Sequence, residues 1–265
     1  MIICLDAGHY LETPGKRCMK ALDPKETREW SLNERIARKV QSFLSKYDCT
    51  TMRVDDTTGK TEVTLYNRVT KANKSGATCY VSIHHNAGIG GGTGGGIVVY
   101  AHPQSSGTSR QLQQITYDHL IKETGLKGNR SNPVALADLY VLRKTTMPAI
   151  LCECGFMDSA TDVPIILTDE FATNAARGIA EAIVEMHNIS PKSGSISGTE
   201  AEYQKWVAFM DRYLAERAAK PASDYAVKLI EEAKALGITA DGANPQGLAS
   251  REDVMLMALA AAKAR

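Results

Sequence analysis

Short apolar runs of strand length alternate with longer stretches of helical period along the first 189 residues, and this alternation restricts the fold more than any other feature. Residues 2–5, 79–83 and 148–152 form the runs, while residues 30–47 and 171–186 carry the helical spacing. The pattern belongs to an α/β domain in which a single, mostly parallel sheet is covered by helices. Trp30, Asn33, Ala37, Val40 and Leu44 fall on one helical stripe, as do Phe171, Ala175, Ile179 and Ile183. Both stretches are therefore expected to lie on the sheet. At 43% hydrophobic residues, the 265-residue chain has the material for such a core.

The pattern changes at residues 189–199, where Ser and Gly dominate, a Pro interrupts, and apolar side chains nearly vanish. This composition predicts a first domain over 1–189, a flexible linker over 190–199 and a small all-helical domain over 200–265. In the tail, Tyr203, Trp206, Val207, Met210, Tyr213 and Leu214 make an amphipathic stripe, and a second helix is expected over 224–236. Ser250 and Asp253 offer a capping box to a third. An aromatic stripe at helical spacing more readily packs into a core or between copies of a chain than it binds a glycan or a membrane. Self-association through the C-terminal helices is the corresponding expectation.

Charge and cysteine usage exclude several functions. With 31 Lys and Arg against 30 Asp and Glu, the chain lacks the basic excess that captures nucleic acid or an anionic membrane. No stretch approaches the roughly 20 apolar residues of a membrane span. The opening ten residues contain no Lys or Arg, and Asp6 breaks their apolar run, so synthesis in a cytoplasm without an export signal is expected. Cys4, Cys18, Cys49, Cys79, Cys152 and Cys154 show no C-x-x-C spacing and are expected to be reduced, mostly buried thiols.

Three of the apolar runs lead to chemistry-bearing residues: 2–5 reaches His9 through Asp-Ala-Gly, 80–83 ends at His84, and 149–152 ends at Glu153. Ligands collect at the carboxyl ends of strands in an open parallel sheet, so these groups are expected at one edge. Two imidazoles and a carboxylate suit Zn²⁺, which keeps an open position for water when catalytic. A metal carboxylate and a separate general base require two acids. Glu29 is preferred as the second, because it opens the helix over 30–47, where the helix dipole favours negative charge, whereas Glu26 lies in the preceding loop. Strand alternation puts His84 on the face of Ser82 and Asn86, and His85 on that of Ile83. By the same parity Cys152 and Cys154 point away from Glu153 and are core thiols. Buried in an apolar run, Glu153 is either paired with a basic group such as Arg143 or functional. Residues 88–96 hold seven glycines in nine positions but lack the Lys-Ser/Thr of a phosphate loop, and are expected to be a mobile connection beside the cleft.

Asp6-Ala-Gly-His9, Glu29-x-x-x-Asn33, Ser82-Ile-His-x-Asn86-Ala87, and Tyr140-Val-Leu-Arg143 with Met147-Pro-Ala-Ile-Leu-Cys-Glu153-x-Gly-Phe156 occur in that order. Together they resemble the motifs of zinc-dependent N-acetylmuramoyl-L-alanine amidases of the amidase_3 type, over about residues 1–188. The resemblance implies a twisted sheet of about six strands flanked by helices, and one Zn²⁺ held by His9, Glu29 and His84. It also implies Glu153 as the catalytic glutamate and cleavage of the amide between the muramic acid lactyl group and L-alanine of the peptidoglycan stem peptide. Tyr10 stands where many relatives have Gly, and the loop over 11–29 is variable in the family, so substrate preference is not fixed by the likeness. Residues 223–263 are weakly similar to helical repeats of surface-layer-homology and phage lysin tails, which suggests wall binding by analogy alone. An amidase domain with such a tail and no export signal looks like a bacteriophage endolysin, made in the host cytoplasm and acting on the cell wall after release.

The implied chemistry is a zinc-activated water with Glu153 as general base. Arg143 is expected either to bind a peptide carboxylate or to support Glu153. The competing functions are a zinc carboxypeptidase or endopeptidase acting within the stem peptide, and a non-catalytic cell-wall-binding protein.

Overall fold

The computed structural model describes residues 1–192 of the chain, and residues 1–190 of these make one compact unit. The helices expected over 200–265, and most of the proposed linker, lie outside the described residues. Six strands, β1 (Ile2–Ala7), β2 (Thr50–Arg53), β3 (Cys79–Asn86), β4 (Ile97–Ala101), β5 (Val134–Leu136) and β6 (Ala149–Phe156), form a single sheet of order β2-β1-β3-β6-β4-β5. The four strands β2, β1, β3 and β6 run parallel, whereas β4 pairs antiparallel with β6 and carries β5 parallel to itself. The sheet is thus mixed at the β4-β5 edge and parallel where the site lies.

Helices α1 (Glu29–Leu44), α2 (Leu65–Ser75), α3 (Gly107–Thr124), α4 (Tyr140–Lys144), α5 (Val163–Ile166) and α6 (Asp169–His187) complete the unit. Their ends follow from local chemistry. Thr64, Ser106 and Thr168 cap α2, α3 and α6 by accepting backbone N–H groups of Asn67, Ser109 and Phe171. Gly76 and Gly125 close α2 and α3 in the left-handed conformation that glycine adopts without steric cost.

Alternation along the strands divides the core into two layers. Ile3, Leu5, Val81, Ile83, Ile150, Cys152 and Cys154 face α1, α3 and α6 in the larger one. Cys4, Tyr80, Ala149 and Leu151 face Val69 and Ala72 of α2 and Val141 and Leu142 of α4 in the smaller. The stripes expected on α1 and α6 are buried as the periodicity required. The strands outrun their apolar runs, however: β3 continues through His84 and His85 to Asn86, and β6 through Glu153 to Phe156. Pairing carries on because His84 is the register partner of Glu153, so both groups stand within the sheet instead of just beyond it.

Candidate metal centre

Glu29 is the first residue of α1 and is fully buried, and its Oε1 is the hub of the site. It lies 3.3 Å from His9 Nε2 and 3.1 Å from His84 Nδ1, and accepts the backbone N–H of His85 at 3.2 Å. The two imidazoles meet edge to face, with ring centroids 4.9 Å apart. One ligand atom from each of His9, Glu29 and His84 fits within 4.8 Å of the others, the only such His/Cys/Asp/Glu group among the described residues. The sequence expectation that these three residues converge is met in the geometry. Glu26 instead pairs with Arg17 at 3.0 Å, away from the cluster.

The backbone that delivers these side chains is closely constrained. His9 takes a left-handed conformation, φ 68°. Before it, Gly8 donates its N–H to Ile83 and accepts from Asn33 Nδ2. A Cβ on Gly8 would sit 2.0 Å from the His84 ring, so no larger residue fits there. Asn33, one turn along α1, also accepts from His85 Nδ1 at its Oδ1, 2.8 Å away. His85 is buried on the α1 side, as parity predicted.

Electrostatics separate the two acids. Burial opposes the charge on Glu29, but hydrogen bonds and attraction from His84 and His9 hold its carboxyl far below the usual carboxylate range. Glu29 in turn lifts His84 above its ordinary value against the cost of burial, while burial prevails at His9 and lowers it. Glu153 has no such partner. Burial pushes its carboxyl up to about 7, with the His84 charge opposing and the Glu29 charge adding to the rise. Its Oε2 is buried without a hydrogen-bond partner among the described residues, and so is Glu29 Oε2, although the Lys16 ammonium stands 3.6 Å from the latter. An unsatisfied buried carboxylate oxygen costs free energy unless something outside the chain meets it.

Two expectations meet a correction, the first in one of its alternatives. Of the two roles expected of Arg143, support of Glu153 is not met: Arg143, on α4, bonds Asp138 and stacks over Tyr140, and α4 leads into the start of β6 and not its carboxyl end. The glycine-rich segment 88–96 is tied down instead of free: Asp158 Oδ2 accepts the N–H groups of Gly88, Ile89 and Gly90, and Asp162 Oδ2 accepts that of Gly96. Glycine spacing alone does not reveal such acceptors, which lie about seventy positions away. Sequence reasoning also missed Lys16 and the buried Arg68, neither of which stands in a recognisable pattern. Cys152 and Cys154 are core thiols as expected, with burial pushing both well above the ordinary thiol range.

Comparison with known proteins gives a consistent result. Residues 3–185 match the family model described as N-acetylmuramoyl-L-alanine amidase. The chain is 34% identical over 194 residues to the endolysin of Bacillus phage SPP1, covering 73% of this chain and 68% of that protein. It is 29% identical over 196 residues to the sporulation-specific N-acetylmuramoyl-L-alanine amidase of Bacillus subtilis, covering 73% and 71%. Among solved structures, the N-acetylmuramoyl-L-alanine amidase of Clostridium difficile 630 superposes with a TM-score of 0.62 at 27% identity, covering 71% of this chain and 96% of that one.

Proposed function

The chain belongs to the N-acetylmuramoyl-L-alanine amidase family, and from that premise we propose that His9, Glu29 and His84 hold the zinc ion of a peptidoglycan amidase in which Glu153 moves the proton. The observation that carries this reading is a pair of buried oxygens without a hydrogen bond beside two imidazoles: Glu153 Oε2, and Glu29 Oε2, which meets only the Lys16 ammonium at 3.6 Å. Two neutral nitrogens and one carboxylate match the donor set of a catalytic zinc site, in which the fourth position stays open. The absence of cysteine from the cluster agrees with a catalytic rather than a closed structural site.

When bound, zinc supplies a Lewis acid for the scissile carbonyl and lowers the pKa of water. Glu29, anionic and fully buried, provides the negative charge of the ligand set and fixes the two imidazoles against each other. Glu153, whose carboxyl changes charge near neutrality, takes the proton of the attacking water at Oε2 and returns it to the leaving L-alanine nitrogen. The N–H groups tied to Asp158 keep the loop after β3 in a fixed shape at the cleft.

We further place the chain among phage endolysins, with peptidoglycan as its macromolecular partner, released to act on the cell wall; the support is the SPP1 relative. Among the described residues no helix is long and apolar enough to cross a membrane. A first domain over 1–189, a linker over 190–199 and a helical region over 200–265 that binds wall or a second copy complete the proposal.

Digestion of purified walls by zinc-loaded protein tests it. The expected products carry free lactyl groups and N-terminal alanine. New termini within the stem peptide would instead identify a carboxypeptidase or endopeptidase, and intact walls would leave a binding protein.

A further inference from the structure

Outside the metal cluster, the guanidinium of Arg68 on α2, 3% exposed, is a buried polar hub that reaches the backbone of a candidate ligand. Its Nε donates to Val63 O at 2.8 Å. Its Nη1 donates to the Asp6 carboxylate and to Ala7 O, and its Nη2 to His9 O at 2.7 Å. Three of these four acceptors belong to the four residues that run from the end of β1 to His9. Asp6 does not need Arg68 for all its partners, since Tyr80 Oη and Ser82 Oγ also donate to its Oδ2. The bond to His9 O is a separate matter. It fixes the direction of a carbonyl that follows a left-handed φ of 68°, a conformation that a β-carbon disfavours. Turning that peptide back towards the common regions would swing the imidazole away from Glu29 Oε1, 3.3 Å distant.

We propose that Arg68 is a positioning residue of the metal centre: by holding the His9 carbonyl it keeps His9 left-handed and its imidazole aimed at the shared ligand position. The inference rests on the assignment of His9 as a ligand. It differs from a purely structural role for Arg68 as counter-charge to Asp6, because Arg68→Lys keeps the charge but lacks the planar fork that reaches Asp6, Ala7 and His9 together.

The test is a double-mutant cycle read by zinc affinity, measured by competition with a chromophoric chelator on full-length protein whose fold is checked by circular dichroism. R68K is expected to weaken zinc binding by roughly 10–100-fold, the usual effect of losing a group that orients a ligand. In an H9A background the same change should alter the remaining affinity by less than about 2-fold, as coupling through His9 requires. The Co²⁺-substituted R68K protein should show a weakened visible band, reporting loss of a ligand from the coordination sphere. Equal losses in both backgrounds, or no loss in R68K, would overturn the proposal. Should R68K not fold, R68Q enters the same cycle under the same criteria. If H9A itself binds zinc like the wild type, the ligand assignment fails first, and that result is distinct from failure of the positioning role.

Discussion

Two polar clusters lie side by side where β1 and β3 end, and they are built in opposite ways. Around Asp6, both carboxylate oxygens are engaged, one by Arg68 and the other by Tyr80 and Ser82, and the guanidinium spends its remaining donors on backbone carbonyls. Two residues further along β3, at His84, the pattern changes: Glu29 and Glu153 each keep a buried oxygen with no hydrogen bond among the described residues. The first cluster is complete within the chain. The second is complete only with something added. Burial of charge is common to both, so burial does not mark the candidate site; two carboxylates with buried oxygens lacking a hydrogen bond, beside two imidazoles, do.

Substitutions should separate the two clusters by phenotype. The largest effect is expected at Glu153. Glu153→Gln should retain zinc and cut turnover on purified walls by roughly 10²–10⁴-fold, the usual worth of a positioned general base. Its thermal stability should be unchanged or raised, because an uncompensated buried acid is removed. Asp6→Asn should do the reverse in kind: it strands the Arg68 charge and should cost about 3–5 kcal/mol. For a unit of this size that is a fall of roughly 10 °C in Tm, measurable by calorimetry. A stable, fully active D6N protein would erase the contrast.

Two smaller effects sharpen it. Gly8 stands between Ala7 and His9, whose carbonyls Arg68 holds, and Gly8→Ala should lower zinc affinity more than stability, since the added Cβ meets the His84 ring at 2.0 Å while the Asp6 pairs stay intact. Zinc titration beside a melting curve checks the ratio. The smallest change is expected at Asp158, where backbone N–H donors of Gly90, Gly88 and Ile89 hold the carboxyl below its ordinary 3.8 against partial burial. A carboxyl lowered in the fold stabilises it fully above that ordinary value and loses the contribution as pH falls through the folded value. Asp158→Asn should therefore lower Tm modestly at neutral pH and flatten the acid limb, the two Tm–pH curves converging at low pH.

The sequence made some of this legible and hid the rest for physical reasons. Strand-length runs ending in His or Glu point to three of the four proposed site groups, because side-chain alternation and strand ends are local properties. Glu29 was found through its helix position. His85 and the two cysteines of β6 were assigned to the core by parity. Arg68 was not found, because its partners at Asp6, Ala7 and His9 lie about sixty positions away and nothing near residue 68 anticipates them. The glycine-rich segment looked free for the same reason: its acceptors come from the turn after β6. The reversal of β4 against β6 likewise depends on a register that no apolar run encodes.

Zinc stoichiometry of purified wild-type, E153Q and H84A proteins tests the central claim most directly. About one ion per chain in the first two and little or none in H84A is the expected result. An H84A protein that still holds one zinc ion, or a wild-type protein that holds none under zinc-replete conditions, would contradict it.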